Sequence, residues 1–106
     1  MSVIYRYENL LKYKKNGQSY LEKMEIIESE IGLSFVYTSK KGESDFYKIE
    51  VKKPEKGIYK VKETKNKNVD TMDINHEELL KLLKINKKLK FVDDYIKKDR
   101  KKYIKN

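Results

Sequence analysis

The chain has no cysteine. That excludes disulfides, thiolate metal sites and cysteine nucleophiles. A single histidine, His76, leaves general-base chemistry without a positioned partner and a zinc site without enough ligands. No apolar run approaches the roughly 18–20 residues that span a bilayer. The opening segment MSVIYRYENLLKYKK lacks the charged-then-apolar layout of a signal peptide. The expectation is an intracellular, reducing compartment, with no secretion and no membrane. There is no Walker loop, no dinucleotide glycine fingerprint and no Gly-x-Ser-x-Gly elbow. The acidic run Glu22, Glu25, Glu28 and Glu30 lacks the layout of a calcium loop and reads as alternating sides of a strand. Neither an enzyme nor a metal, cofactor or small-molecule substrate is expected.

Alanine and tryptophan are also missing, proline occurs once and glycine four times. Lysine, asparagine, isoleucine and tyrosine are abundant instead. That usage follows an AT-rich genome, such as that of a low-GC bacterium or phage, a large DNA virus of a protist, or an AT-rich eukaryote. Part of the lysine content is therefore mutational. At 106 residues, with 38% hydrophobic and 41% charged residues, composition alone leans toward disorder. Periodic apolar runs rich in Tyr and Phe argue instead for one folded domain with a thin core, strand-rich over 1–74 and helical over 75–104.

Asn16-Gly17, between LLKYKK and QSYLEKMEII, marks a type I′ hairpin. Zipping outward from it pairs Tyr13 with Tyr20, Leu11 with Glu22 and Tyr7 with Ile26. Leu10 and Leu11 break the alternation, which predicts a bulge near Glu8-Asn9. Further alternating runs cover Leu33–Thr38, Tyr47–Lys52 and Tyr59–Lys62, with a short sixth strand over Val69–Ile74. KKGE, KPEKG and KNKN are the turns, and Pro54 is expected to stop a strand. Asn75 with Glu78 three positions on forms a capping box for a helix over 76–85. Ile85-Asn86-Lys87 breaks it, and a second helix follows from Lys88 to Tyr103. The fold class is α+β: an antiparallel meander of five or six strands, then two C-terminal helices packed on one face of the sheet.

The net charge is +9, and residues 81–106 hold ten Lys and Arg100 against Asp93, Asp94 and Asp99. Charge so concentrated attracts polyanions. On the second helix Leu89, Val92, Ile96 and Tyr103 share one arc, with most of the cations opposite. The candidate phosphate contacts are Lys87, Lys88, Lys90, Lys97, Lys98, Arg100, Lys101, Lys102 and Lys105. Against this stand the favourable i,i+4 pairs Asp93–Lys97 and Asp94–Lys98, which suit a plain solvated face. Lys48, Lys52, Lys60 and Lys62 form a weaker patch on the polar face of the sheet. Alternation turns Tyr47 and Tyr59 away from it, so a base-stacking platform is not expected there. The nine tyrosines read as half-buried strand residues rather than an aromatic cage. Two functions remain: a small basic protein, of viral or phage type, that binds DNA or RNA through backbone phosphates with little sequence preference, or a protein–protein interaction module, homo-oligomers included.

Overall fold

The computed structural model describes residues 3–30, 32–43 and 45–99. Six strands in sequential order form one antiparallel sheet: β1 (Val3–Lys15), β2 (Gln18–Ser29), β3 (Gly32–Lys41), β4 (Asp45–Glu55), β5 (Ile58–Lys65) and β6 (Asn68–Ile74). Helix α1 (His76–Ile85), a 3-10 turn over Lys87–Leu89, helix α2 (Lys90–Asp94) and a π turn over Tyr95–Asp99 follow. This is the α+β meander with C-terminal helices that the periodicity predicts. Among the described residues no helix is long and apolar enough to cross a membrane.

Local chemistry accounts for the turns. Asn16 and Gly17 take φ of 52° and 78°, as do Lys56 and Gly57 at 56° and 81°; two successive positive values are the type I′ signature. The first hairpin is in the expected register, with Tyr13 opposite Tyr20, Leu11 opposite Glu22 and Tyr7 opposite Ile26. The predicted bulge at Glu8-Asn9 is absent, and pairing there is continuous. The register shifts between Val3 and Tyr5 instead. Leu10 and Leu11 are 50% and 45% exposed, so neither marks a core face, and the broken alternation carried no register information. Pro54 does not end its strand, because β4 runs on to Glu55 and the turn is Lys56-Gly57. Pairing with β5 slips between Lys52 and Glu55. Pro54 thus lies within an irregular stretch of the ladder, which is where proline is tolerated.

Asn75 accepts from the Glu78 N–H at 2.9 Å, and Glu78 accepts from the Asn75 N–H at 3.2 Å. This reciprocal capping box fixes the start of α1. Leu79 and Leu83 of α1, Leu89, and Val92 and Tyr95 beyond it are buried against Ile26, Leu33, Phe35, Ile49, Val51, Tyr59 and Val61 of the sheet. Burying each such side chain stabilises by about 1.5–3 kcal/mol. The single long second helix of the sequence reading is, over its described part, three short pieces. Its apolar side includes buried Tyr95 and part-buried Phe91 besides Leu89, Val92 and Ile96.

The described helical segments do not cover the whole inner face of the sheet. α1 starts beside the β4–β5 turn and ends at Asn86, which bonds Tyr47 near the opposite end. The chain then reverses, and Tyr95 stacks on Tyr5 with ring centroids 4.4 Å apart. Among the described residues nothing covers the end of the face toward the Asn16, Gly42 and Asn66 turns.

Candidate nucleic-acid interface

The open end of the inner face is a groove of about 980 Å³. Alternation brings one tyrosine from each of the first four strands into it: Tyr13, Tyr20, Tyr37 and Tyr47. Tyr13 and Tyr20 face each other across the first hairpin, 5.0 Å apart and 7° from parallel. Tyr13 is 51% exposed, so this stacked pair offers π surface to solvent. Tyr37 and Tyr47 lie deeper, 6.2 Å apart and tilted by 55°.

Two phenols on the groove floor are held protonated. Burial, then the charge of Glu22 and a hydrogen bond to it, push the Tyr37 hydroxyl up to about 12. Tyr47 is likewise pushed up to about 12, first by burial and then by its bond to Glu63. Its hydroxyl donates to Glu63 Oε2 at 2.6 Å and accepts from Asn86 Nδ2 at 2.9 Å. The same Asn86 makes the last bond of α1, its backbone N–H donating to the Leu82 carbonyl at 2.9 Å, and its extended backbone (φ −90°, ψ 100°) ends the helix. Its side-chain oxygen accepts from the Lys88 N–H at 3.1 Å. One asparagine therefore ends a helix, starts the next turn and anchors both to the sheet.

That junction sets the cations. Lys88 Nζ sits 4.2 Å from the Tyr47 ring centroid and 6.0 Å from that of Tyr37. Lys41 Nζ lies 5.8 Å from the Tyr20 centroid. Such contacts hold an ammonium over a ring face at about 0.5–1 kcal/mol where exposed. Gly42 N–H donates to the Ser19 carbonyl at 2.8 Å, pinning the turn beside Lys41. Asn66 mimics a strand partner for Phe46: it accepts from the Phe46 N–H through its side chain at 2.9 Å and donates to the Phe46 carbonyl at 2.8 Å. Lys65 is held next to it. Five lysines line the groove (Lys40, Lys41, Lys65, Lys87 and Lys88) against Glu22, Asp45 and Glu63. One of those three carboxylates, Glu63, already accepts from a phenol. A smaller depression of about 470 Å³ at the tip of the first hairpin carries Lys12, Lys14 and Lys40.

The structure divides the nine basic residues singled out from the sequence. Lys87 and Lys88 are on the groove. Lys90 and Lys98 are exposed on the second helical segment, and Lys97 bonds Asp93 Oδ2 at 2.8 Å. That bond, then the charges of Asp93 and Asp94, raise the Lys97 ammonium above its ordinary range. Arg100, Lys101, Lys102 and Lys105, with Tyr103, lie outside the described residues. Lys48, Lys52, Lys60 and Lys62 stand on the outer face, away from Tyr47 and Tyr59, as alternation predicts. His76 is exposed, with its ring 6.4 Å from that of Tyr59. Lys40, Lys41 and Lys65 did not stand out in the sequence, because they belong to turns far apart in the chain. Only the meander order, which the sequence does predict, could have placed them together. No protein-family model, curated protein or solved structure matches this chain.

Proposed function

We propose that this protein is a non-enzymatic binder of single-stranded nucleic acid. The observation that carries the reading is the groove itself: a stacked tyrosine pair, Tyr13 exposed and Tyr20 half-buried, bordered by lysines from several elements. Sequence-tolerant single-strand binding uses this combination, aromatic faces for bases and ammonium groups for the backbone. Bases stack on the Tyr13–Tyr20 pair, and Lys41, Lys65 and Lys87 contact phosphates. A duplex, whose bases are already stacked, gains only the phosphate contacts and binds more weakly. The basic C-terminal run adds further charge and strengthens attachment without adding specificity. The AT-rich residue usage suits a viral or phage protein acting inside a cell.

The test is fluorescence anisotropy with a labelled oligothymidylate, its RNA counterpart and a duplex of the same length, over a salt series. Neutralising about five phosphates gives a slope of log K against log salt near −3.5 for single strands. Tyr13→Ala with Tyr20→Ala weakens single-strand binding by about ten-fold or more and leaves duplex binding nearly unchanged. Equal loss on both substrates, or no binding to either at low salt, overturns the reading. A protein–protein module remains the second reading, and the two sheet edges favour it.

A further inference from the structure

The sheet is open, with β1 and β6 as its edges, and among the described residues no strand pairs with the far side of either. An edge strand presents a row of N–H and C=O groups that can template another strand. The two edges here are opposite in charge. β1 carries Arg6, Lys12, Lys14 and Lys15 against Glu8, whereas β6 carries Asp70 and Asp73 and no cation. Each also exposes apolar side chains: Leu10 at 50% and Leu11 at 45% on β1, Val69 at 53% and Met72 at 48% on β6. The strand count is even, so β6 runs opposite to β1. A second copy displaced along the sheet therefore brings its β1 antiparallel to the β6 of the first.

We propose that β6 of one copy pairs with β1 of a second copy, extending the sheet head to tail. With Leu10 set opposite Val69, the antiparallel register places Arg6 opposite Asp73 and Tyr7 opposite Met72. A two-fold pairing of β1 with β1 would bring basic strands together, and β6 with β6 would bring the aspartates together. Like charges across a ladder are destabilising. The favoured contact uses two different surfaces, so it does not close on itself and yields an open array. The groove crosses β1 to β5, so successive grooves fall in one line along such an array. That alignment matters only under the nucleic-acid reading; the pairing itself does not depend on it.

Sedimentation velocity on the nuclease-treated full chain tests the pairing without nucleic acid. Near an ionic strength of about 0.15 M, where the Debye length is about 8 Å, net self-repulsion is screened and contact pairs persist. The expected result is a mass that climbs with concentration beyond the dimer. Asp73→Lys, and separately Arg6→Glu, each turn the facing Arg6–Asp73 pair into a like-charge pair and weaken association by about ten-fold. Mixing the two variants restores it, which also requires both to be folded. A wild-type chain that stays monomeric at every concentration overturns the proposal. So does a β6 variant that associates as the wild type does, or a mixture that stays monomeric.

Discussion

The Tyr95 hydroxyl donates to Glu28 Oε1 at 3.0 Å, joining residues 67 apart in sequence. Glu28 is 1% exposed and Tyr95 2%. A carboxylate so buried is costly unless it is hydrogen-bonded. Tyr95 meets that need from the π turn while its ring stacks on Tyr5. The contact locks the last described helical turn over β1 and β2. It is a structural device, because it lies at the covered end of the sheet and away from the groove.

Tyr95→Phe keeps the ring and removes the donor. Removing one hydrogen bond to a buried carboxyl lowers stability by about 1–3 kcal/mol. Urea unfolding of wild type and variant should give a lower midpoint with an unchanged slope. Binding to the oligothymidylate should be unaffected in the native range.

Much of the fold was legible because it rests on local chemistry. Asn16-Gly17 set the first hairpin and its register, and Asn75 with Glu78 set the start of α1. Glu28 was not legible as a buried residue, since its partner lies in the helical segment and no local pattern announces it. Tyr95 was missed because it falls at the margin of the arc defined by Leu89, Val92 and Ile96. The groove was hidden for a different reason. Alternation reveals which face Tyr13, Tyr20, Tyr37 and Tyr47 share, but not how far the helices reach over that face. That length depends on where α1 stops, and Asn86 decides it through its extended backbone and its side-chain bond to Tyr47.

Asn86→Ala should therefore affect the groove more than the core. It removes the bonds to the Tyr47 hydroxyl and to the Lys88 N–H. Loss of such a capping and tertiary contact costs about 1–2 kcal/mol. Lys88 then loses its fixed position over Tyr47. The expected outcome is a modest drop in thermal stability together with weaker single-strand binding. Tyr47→Phe, which leaves the Asn86 cap on Lys88 intact, should reduce stability with a smaller effect on binding.

The phenols give a pH dependence of definite sign. Tyr37 and Tyr47 ionise near 10 in the unfolded chain and at about 12 in the folded one. Their protonated forms are favoured by folding, so the stability they contribute is complete below pH 10. It is lost as pH rises from about 10 to about 12, where the unfolded chain releases protons first. Thermal unfolding followed across that interval should show a falling midpoint. Tyr37→Phe should make the fall shallower, and tyrosinate absorbance should show the corresponding phenol titrating late.

Lys56 carries a φ of 56° at the first position of the Lys56-Gly57 turn. A left-handed backbone costs a non-glycine residue about 1–2 kcal/mol, and asparagine tolerates it better. The side chain is exposed, so little packing is lost by exchange. Lys56→Asn should raise stability by about 0.5–1 kcal/mol, giving an upward shift in melting temperature. An unchanged or lower melting temperature would show that the turn is not strained.

Two pairs of lysines, matched in charge, separate the groove from the C-terminal stripe as the binding surface. Lys87 and Lys88 line the groove beside Tyr47, whereas Lys97 is engaged by Asp93 and Lys98 stands beyond it on the helical segment. If long-range attraction alone mattered, reversing either pair would change the net charge equally and reduce affinity equally. If the groove holds the strand, Lys87→Glu with Lys88→Glu removes phosphate contacts and also repels the backbone beside the stacking tyrosines. Its effect should exceed that of Lys97→Glu with Lys98→Glu by about ten-fold, and it should flatten the salt slope by about one to two units. The Lys97 and Lys98 variant should keep the wild-type slope and shift only the intercept. Equal losses would place binding in the overall field of the C-terminal half, and a larger loss from Lys97 and Lys98 would move the site onto the helix.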